Sequence, residues 1–186
     1  MKRSFDLFFS LVLLPLLIVL MLVIAITILL SSKGPALYWS NRVGVANKIF
    51  KMPKFRTMSI DTPTLATHLL ENPENYLSSI GGFLRRTSFD ELPQIYSILK
   101  GDMSFVGPRP ALYNQYDLIA LRAQTGVDSL VPGITGWAQI NGRDELSISD
   151  KVLLDVEYMN CQSFWFDMKI LWKTFLKVIK RDGVLH

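Results

Sequence analysis

The chain has 186 residues, 49% hydrophobic and 19% charged, with a formal net charge of +4. That length allows one modest domain with an appendage rather than two full domains. Its single cysteine, Cys161, excludes an intramolecular disulfide framework, and its two histidines, His68 and His186, disfavour a Ser-His or Cys-His triad, so acid-base and nucleophilic work falls to carboxylates.

From Leu7 to Leu30 the residues are almost unbroken apolar, interrupted by Ser10, Pro15 and Thr27. As a helix this run would be roughly 36 Å long, enough to cross a hydrocarbon core of about 30 Å. It is too long for a signal-peptide core, and no small-residue cleavage site follows it. Pro15 removes one helical hydrogen bond and frees the carbonyl of Leu11, which in lipid has no water to turn to. Lys2 and Arg3 precede the run, and Lys33, Arg42, Lys48, Lys51, Lys54 and Arg56 follow it. Positive charge on both flanks suits a segment whose ends share one side of the bilayer. The residues alone leave a re-entrant path and a spanning path open.

Residues 33–60 read as short extended segments near the membrane, with a break at Asn41–Gly44. Residues 61–79 are polar, carry Pro63 and Pro73, and read as a loop or short helix. A short helix is expected over 90–100, capped by Ser88 or Asp90 and ended by Lys100-Gly101. Another is expected over 112–125. Turn-rich Val131–Gly136 is expected to lead into a strand at Trp137–Ile140. Two further helices are expected over 147–160 and 164–181. In the second, Lys169, Lys173, Lys177 and Lys180 share a face. The other side carries Phe164, Met168, Leu171, Trp172, Phe175, Val178 and Ile179. This helix is either a core helix with a solvated lysine face or an interfacial helix on anionic lipid.

The chemistry concentrates in Arg85–Gln94 and in Gly101–Pro110. Asp90 and Glu91 are adjacent carboxylates in a first helical turn, shortly after Arg85 and Arg86. Acidic residues favour such positions for structural reasons alone. Arg109, however, lies between two prolines on stiff backbone, a placement suited to bidentate phosphate contact. A carboxylate attacks a phosphoanhydride only when cations or a divalent metal neutralise the phosphate charge. With no Cys or His cluster, magnesium suits such a site better than zinc. Asp155 and Asp167 fall on or beside apolar helix faces, where a carboxylate needs a partner. Pairing with a buried arginine and a place in the active site both remain open for them.

Four stretches together resemble the monotopic phosphoglycosyl transferases, the bacterial sugar transferase family. They are Lys54–Met58, Asp90–Gln94, Leu99–Pro110 and Pro132–Arg143. The resemblance implies an α-rich α+β fold. A re-entrant membrane helix over 1–32, broken near Pro15, would enter and leave on the cytoplasmic face of the inner membrane. Amphipathic interfacial helices and a small catalytic domain with short strands, 33–186, would follow. It further implies transfer of a sugar 1-phosphate from a UDP-sugar to undecaprenyl phosphate with release of UMP, initiating glycoconjugate synthesis. Asp90 and Glu91 match the family's catalytic dyad, with Asp90 carrying the phospho-sugar ester and both holding Mg2+. Lys54, Arg85 and Arg109 match its basic positions near the phosphates, Asp155 and Asp167 its acidic ones, and Arg143, which closes the last stretch, is expected with them among the substrate-binding residues. Where family members often have Ser-Pro at the helix break, this chain has Leu14-Pro15. Without the extra membrane helices and added domain of larger relatives among its residues, it is expected to be the minimal catalytic form. No nucleic-acid partner is implied. A membrane-anchored, metal-dependent nucleotide-sugar hydrolase and a non-enzymatic adaptor for anionic headgroups are the alternatives.

Overall fold

The computed structural model describes residues 2–60, 62, 73–142 and 145–180. The fold is α-rich α+β with an apolar N-terminal helix. That helix, α1, runs from Lys2 to Ser31 with Pro15 inside it. A hairpin follows, β1 (Leu37–Val43) antiparallel to β2 (Ile49–Phe55), in register from Leu37 opposite Phe55 to Val43 opposite Ile49. Then come α2 (Gly81–Thr87), a 3-10 segment over Phe89–Gln94, α3 (Ile95–Lys100) and β3 (Ser104–Val106). The chain continues through α4 (Tyr116–Thr125), β4 (Gly133–Thr135), α5 (Trp137–Ile140), α6 (Ile148–Cys161) and α7 (Phe164–Lys180). Strands β3 and β4 pair in parallel, Ser104 with Gly133 and Val106 with Thr135.

One face of α1 is part of the domain core. Ile24 and Ile28 pack with Phe55 and Leu84, and Leu14, Leu17 and Met21 pack against Phe50, Met52, Ile95, Ile98 and Met103. The opposite face, including Phe8, Leu11, Leu16, Val19, Leu22 and Ile26, is exposed. Both ends are fastened. Near the start, Lys2 Nζ pairs with Asp167 and donates to the Tyr158 hydroxyl at 3.0 Å, and Arg3 donates to the carbonyls of Ile98 and Leu99 at the C-terminal end of α3. At the exit, Arg56 donates to Ser32 Oγ at 2.9 Å and to the carbonyl of Lys33.

Four readings need correction. The apolar tetrapeptide Trp137–Ile140 is helical, and the strand lies earlier, at Gly133–Thr135. Backbone contact places it there: a Cβ on Gly133 would meet Gly107 N at 2.1 Å, and one on Gly136 would meet Gly107 O at 2.1 Å. No side chain could hold the chain this close. The expected break at Asn41–Gly44 begins only after Val43, where Ala46 and Asn47 turn the hairpin with φ of 51° and 59°. The expected 90–100 helix is a 3-10 segment that becomes α-helical only at Ile95, and the Ser88 side chain makes no capping bond. The helix expected over 112–125 starts at Tyr116, and α2 was not expected. Within the 61–79 stretch, residues 61 and 63–72 lie outside the described residues, and Pro73–Tyr76 form a 3-10 turn.

Helix α7 settles neither simple picture of itself. Ile170 and Asp167 are buried, yet Trp172, Phe175 and Val178 are 61%, 54% and 58% exposed. A core helix would hide those side chains. The lysine face is also not merely solvated, since Lys169 and Lys173 place Nζ 5.6 and 5.1 Å from the centre of the Trp137 ring.

Candidate active site

The site assembles where the end of β2, the 3-10 segment and the Pro108–Pro110 turn meet. Helix α2 stops at Ser88, whose left-handed backbone (φ 58°) returns its N–H to the carbonyls of Leu84 and Arg85. The chain then turns tightly, with Glu91 N–H on the Ser88 carbonyl at 3.1 Å. Phe89 and Leu92 pack with the Ile24–Ile28–Phe55–Leu84 cluster, so the segment carrying Asp90 and Glu91 rests on the apolar helix.

Glu91 is gripped by two cations. Its Oε1 accepts from Lys54 Nζ at 2.7 Å and from Arg109 Nη2 at 2.9 Å. Burial alone would push this carboxyl up, but Arg109 and Lys54 outweigh it and hold Glu91 well below its ordinary value of 4.5. Burial lowers Lys54, with Glu91 opposing. Asp90 differs from its neighbour: no hydrogen bond or ion pair reaches its carboxylate among the described residues. Burial pushes Asp90 above its ordinary 3.8, opposed by Lys54, Arg85 and Arg109 and reinforced by Glu91. Arg85 is held by Thr57, its Nε donating to Oγ1 at 3.0 Å, and burial lowers it while Asp90 raises it.

The remaining expected residues divide. Asp155, 1% exposed, accepts from Arg122 Nε at 3.0 Å and Nη2 at 2.7 Å. Burial pushes its carboxyl up, with Arg122 opposing. Arg122 Nη1 in turn donates to the Arg109 carbonyl at 2.8 Å. Asp155 therefore reaches the dyad through Arg122 and the backbone of Arg109, the pairing with a buried arginine that the sequence left open. Asp167 is joined to Lys2 and accepts from the Tyr158 hydroxyl at 2.7 Å, fixing α1 to α6 and α7. Arg143 lies outside the described residues. The sequence missed Thr57, Arg122 and Arg42, the last counted there only as part of a basic flank. Arg42 sits on β1 with its Nη1 on the Pro110 carbonyl at 3.2 Å.

Residues 1–181 match the family described as bacterial sugar transferase. The chain belongs to the bacterial sugar transferase family. Among its relatives, this sugar transferase is 41% identical over 192 residues to an undecaprenyl-phosphate glucose phosphotransferase of Komagataeibacter xylinus, covering 97% of this chain and 35% of that one. It is 39% identical over 184 residues to an uncharacterized sugar transferase of Bacillus subtilis, covering 99% and 90%. A UDP-glucose:undecaprenyl-phosphate glucose-1-phosphate transferase of Escherichia coli is 38% identical over 185 residues, covering 95% and 40%. The chain thus spans between a third and two-fifths of the first and third relatives and most of the second.

A magnesium ion takes oxygen ligands and is commonly held by one or two carboxylates, with phosphate oxygens and waters completing its shell. No group of three or more His, Cys, Asp or Glu side chains suited to a metal occurs among the described residues of the transferase. The donors that fit are the Asp90 carboxylate and the second oxygen of Glu91, the one not engaged by Lys54 and Arg109.

Proposed function

We propose that this sugar transferase moves a sugar 1-phosphate from a UDP-sugar to undecaprenyl phosphate, through a covalent ester on Asp90. The observation that carries the reading is the contrast within the dyad. One oxygen of Glu91 is held by Lys54 and Arg109, while among the described residues no hydrogen bond or ion pair reaches Asp90, on a segment packed against the apolar helix. A nucleophile must keep its lone pairs available, and the cations around it must lower the charge of the phosphate it attacks. An Asp90 oxygen bonds to the β-phosphorus, the anhydride bond breaks, and UMP leaves with the electron pair. An oxygen of the lipid phosphate then bonds to the same phosphorus, and the Asp90 carboxylate is regenerated. Lys54, Arg85 and Arg109 offset charge on the transferring phosphoryl oxygens. Mg2+ held by Asp90 and Glu91 would supply further neutralisation of that charge.

The names of the relatives support the substrate classes, and the attachment of α1 supports the location. A straight α1 would be roughly 45 Å long. Were it to cross a bilayer, its ends would lie on opposite sides. Instead one domain holds both, through Lys2 and Arg3 at the start and Arg56 at the exit. This supports a re-entrant path, and the basic flanks support the cytoplasmic face of the inner membrane as its side. The exposed Trp172, Phe175 and Val178 of α7 supply an apolar surface for the same interface.

The test is a single turnover with UDP-glucose or UDP-galactose, labelled in the sugar, and no lipid acceptor. The expected result is UMP release stoichiometric with enzyme and label retained on the protein, then passed to an extractable product when undecaprenyl phosphate is added. UMP appearing only after acceptor is added would rule out the ester.

A further inference from the structure

Arg42 enters the same site from the hairpin. Pairing of Tyr38 with Lys54, Ser40 with Met52 and Arg42 with Phe50 places Arg42 and Lys54 on one face of β1–β2. The strand is docked where the Pro-Arg-Pro turn ends: Val43 N–H donates to the Ala111 carbonyl at 2.9 Å, and Arg42 bridges Leu112. Arg42 Nε donates to Ser40 Oγ at 3.1 Å and Nη1 to the Pro110 carbonyl at 3.2 Å. Among the described residues it donates to no carboxylate, and its Nη2 has no acceptor.

That is an unusual position for a partly buried guanidinium. Its neighbours include a second guanidinium, Arg109, whose Nη2 donates to Glu91. Burial first and Arg109 second push Arg42 down to about 10, with Glu91 opposing, and it remains charged at neutral pH. Among the described residues, Lys54, Arg85, Arg109 and Arg42 are the cations that act on the carboxylates Asp90 and Glu91 or on one another. Each phosphate of a nucleotide diphosphate diester carries a negative charge, so such a ligand is complementary to these cations. A planar guanidinium with a spare N–H suits an anionic oxygen better than it suits a lone backbone carbonyl.

We propose that Arg42 binds a phosphate oxygen of the nucleotide diphosphate and, with Arg109, clamps it beside Asp90. The proposal rests on the transferase reading above. The bland alternative is that Arg42 only staples the Pro110 carbonyl and so shapes the turn.

The two are separated by equilibrium binding to the full-length protein in detergent or nanodiscs, with UDP and uridine as probes. Arg42→Gln retains an amide donor and removes the charge. Its UDP affinity should fall roughly 10- to 100-fold, while the uridine affinity stays within about twofold of wild type. The UDP affinity should also become less sensitive to salt. Arg42→Lys keeps the charge and loses the fork, and should recover part of the UDP affinity. If Arg42→Gln does not fold, Arg42→Lys alone carries the test: a several-fold loss toward UDP with uridine unchanged supports the clamp. UDP and uridine weakening together in either folded variant, or UDP binding equal to wild type, overturns it. A wild-type protein that binds no UDP overturns the transferase reading, and the role of Arg42 with it.

Discussion

The corner around Asp90 and the clasp around Asp167 are made of the same parts, a carboxylate with basic side chains against buried apolar surface, yet they are finished differently. In the clasp, both oxygens of Asp167 are engaged, one by Lys2 and one by the Tyr158 hydroxyl, and Gln162 Nε2 donates to that hydroxyl at 3.3 Å. Burial, then Asp167, push the Tyr158 hydroxyl up, so it stays a donor. Around Asp90 the adjacent acid is held by two cations, while among the described residues no hydrogen bond or ion pair reaches Asp90 itself. A closed set of bonds holds elements together, whereas an open one has capacity for a ligand.

The sharpest way to break this comparison is Asp90→Asn. Turnover should fall by roughly 10³ or more, the loss expected for a missing covalent nucleophile. Thermal stability should hold or rise, because the substitution removes a charge whose burial outweighs the pull of the cations around it. A clear loss of stability would mean Asp90 serves the fold after all. Next in size is Asp167→Ala, which removes the close acceptor of the Tyr158 hydroxyl and the carboxylate paired with Lys2. It should destabilise the protein by about 2 kcal/mol in denaturant or thermal unfolding, with turnover per folded molecule changed by less than about tenfold. A large catalytic defect in a fully folded Asp167→Ala protein would erase the distinction between clasp and corner.

The smallest effect is on pH. Asp90 must be ionised to attack, and burial raises it, so kcat/KM should decline as pH falls with an inflection above 3.8, approaching tenfold per pH unit. Glu91, held low, stays ionised through that limb, which should therefore report one proton and vanish from the residual activity of Asp90→Asn. The stability signs are opposite. Glu91, depressed by folding, contributes stability above 4.5 that is lost as pH falls toward its folded value. Asp90, raised by folding, detracts from stability at neutral pH, and that loss is relieved as pH falls through its folded value.

How much of this was legible in the sequence depended on distance along the chain. Asp90 and Glu91 are adjacent, and Arg109 announces itself by its flanking prolines, so the three residues that meet in this corner could be named from local pattern. Asp155 and Asp167 were visible as carboxylates on apolar faces, because periodicity reports burial. Their partners were not, since Arg122 is 33 residues from Asp155 and Lys2 is 165 from Asp167. Arg42 offered less still. Its place in the site comes from the hairpin register and from β1 docking on residues 110–112, neither of which is written near residue 42. The Trp137–Ile140 misreading has another cause: four apolar residues fit a strand or a helical turn equally well, and glycine contacts elsewhere decided the matter. The α7 faces failed for a related reason. The most apolar stripe of a helix turns inward when water is its alternative, and need not do so beside lipid.

The union of α1 with the core bears on how such a protein is handled. An ordinary tail anchor is trimmed away to yield a freely dissolving catalytic fragment. Here, cutting the chain after Ser31 would strip Ile24 and Ile28 from Phe55 and Leu84, and the remnant would show water an oily scar directly behind the segment that carries Asp90. Protease shedding and truncated expression would both deliver aggregate in place of soluble enzyme, which makes the greasy first helix a piece of the reactor wall.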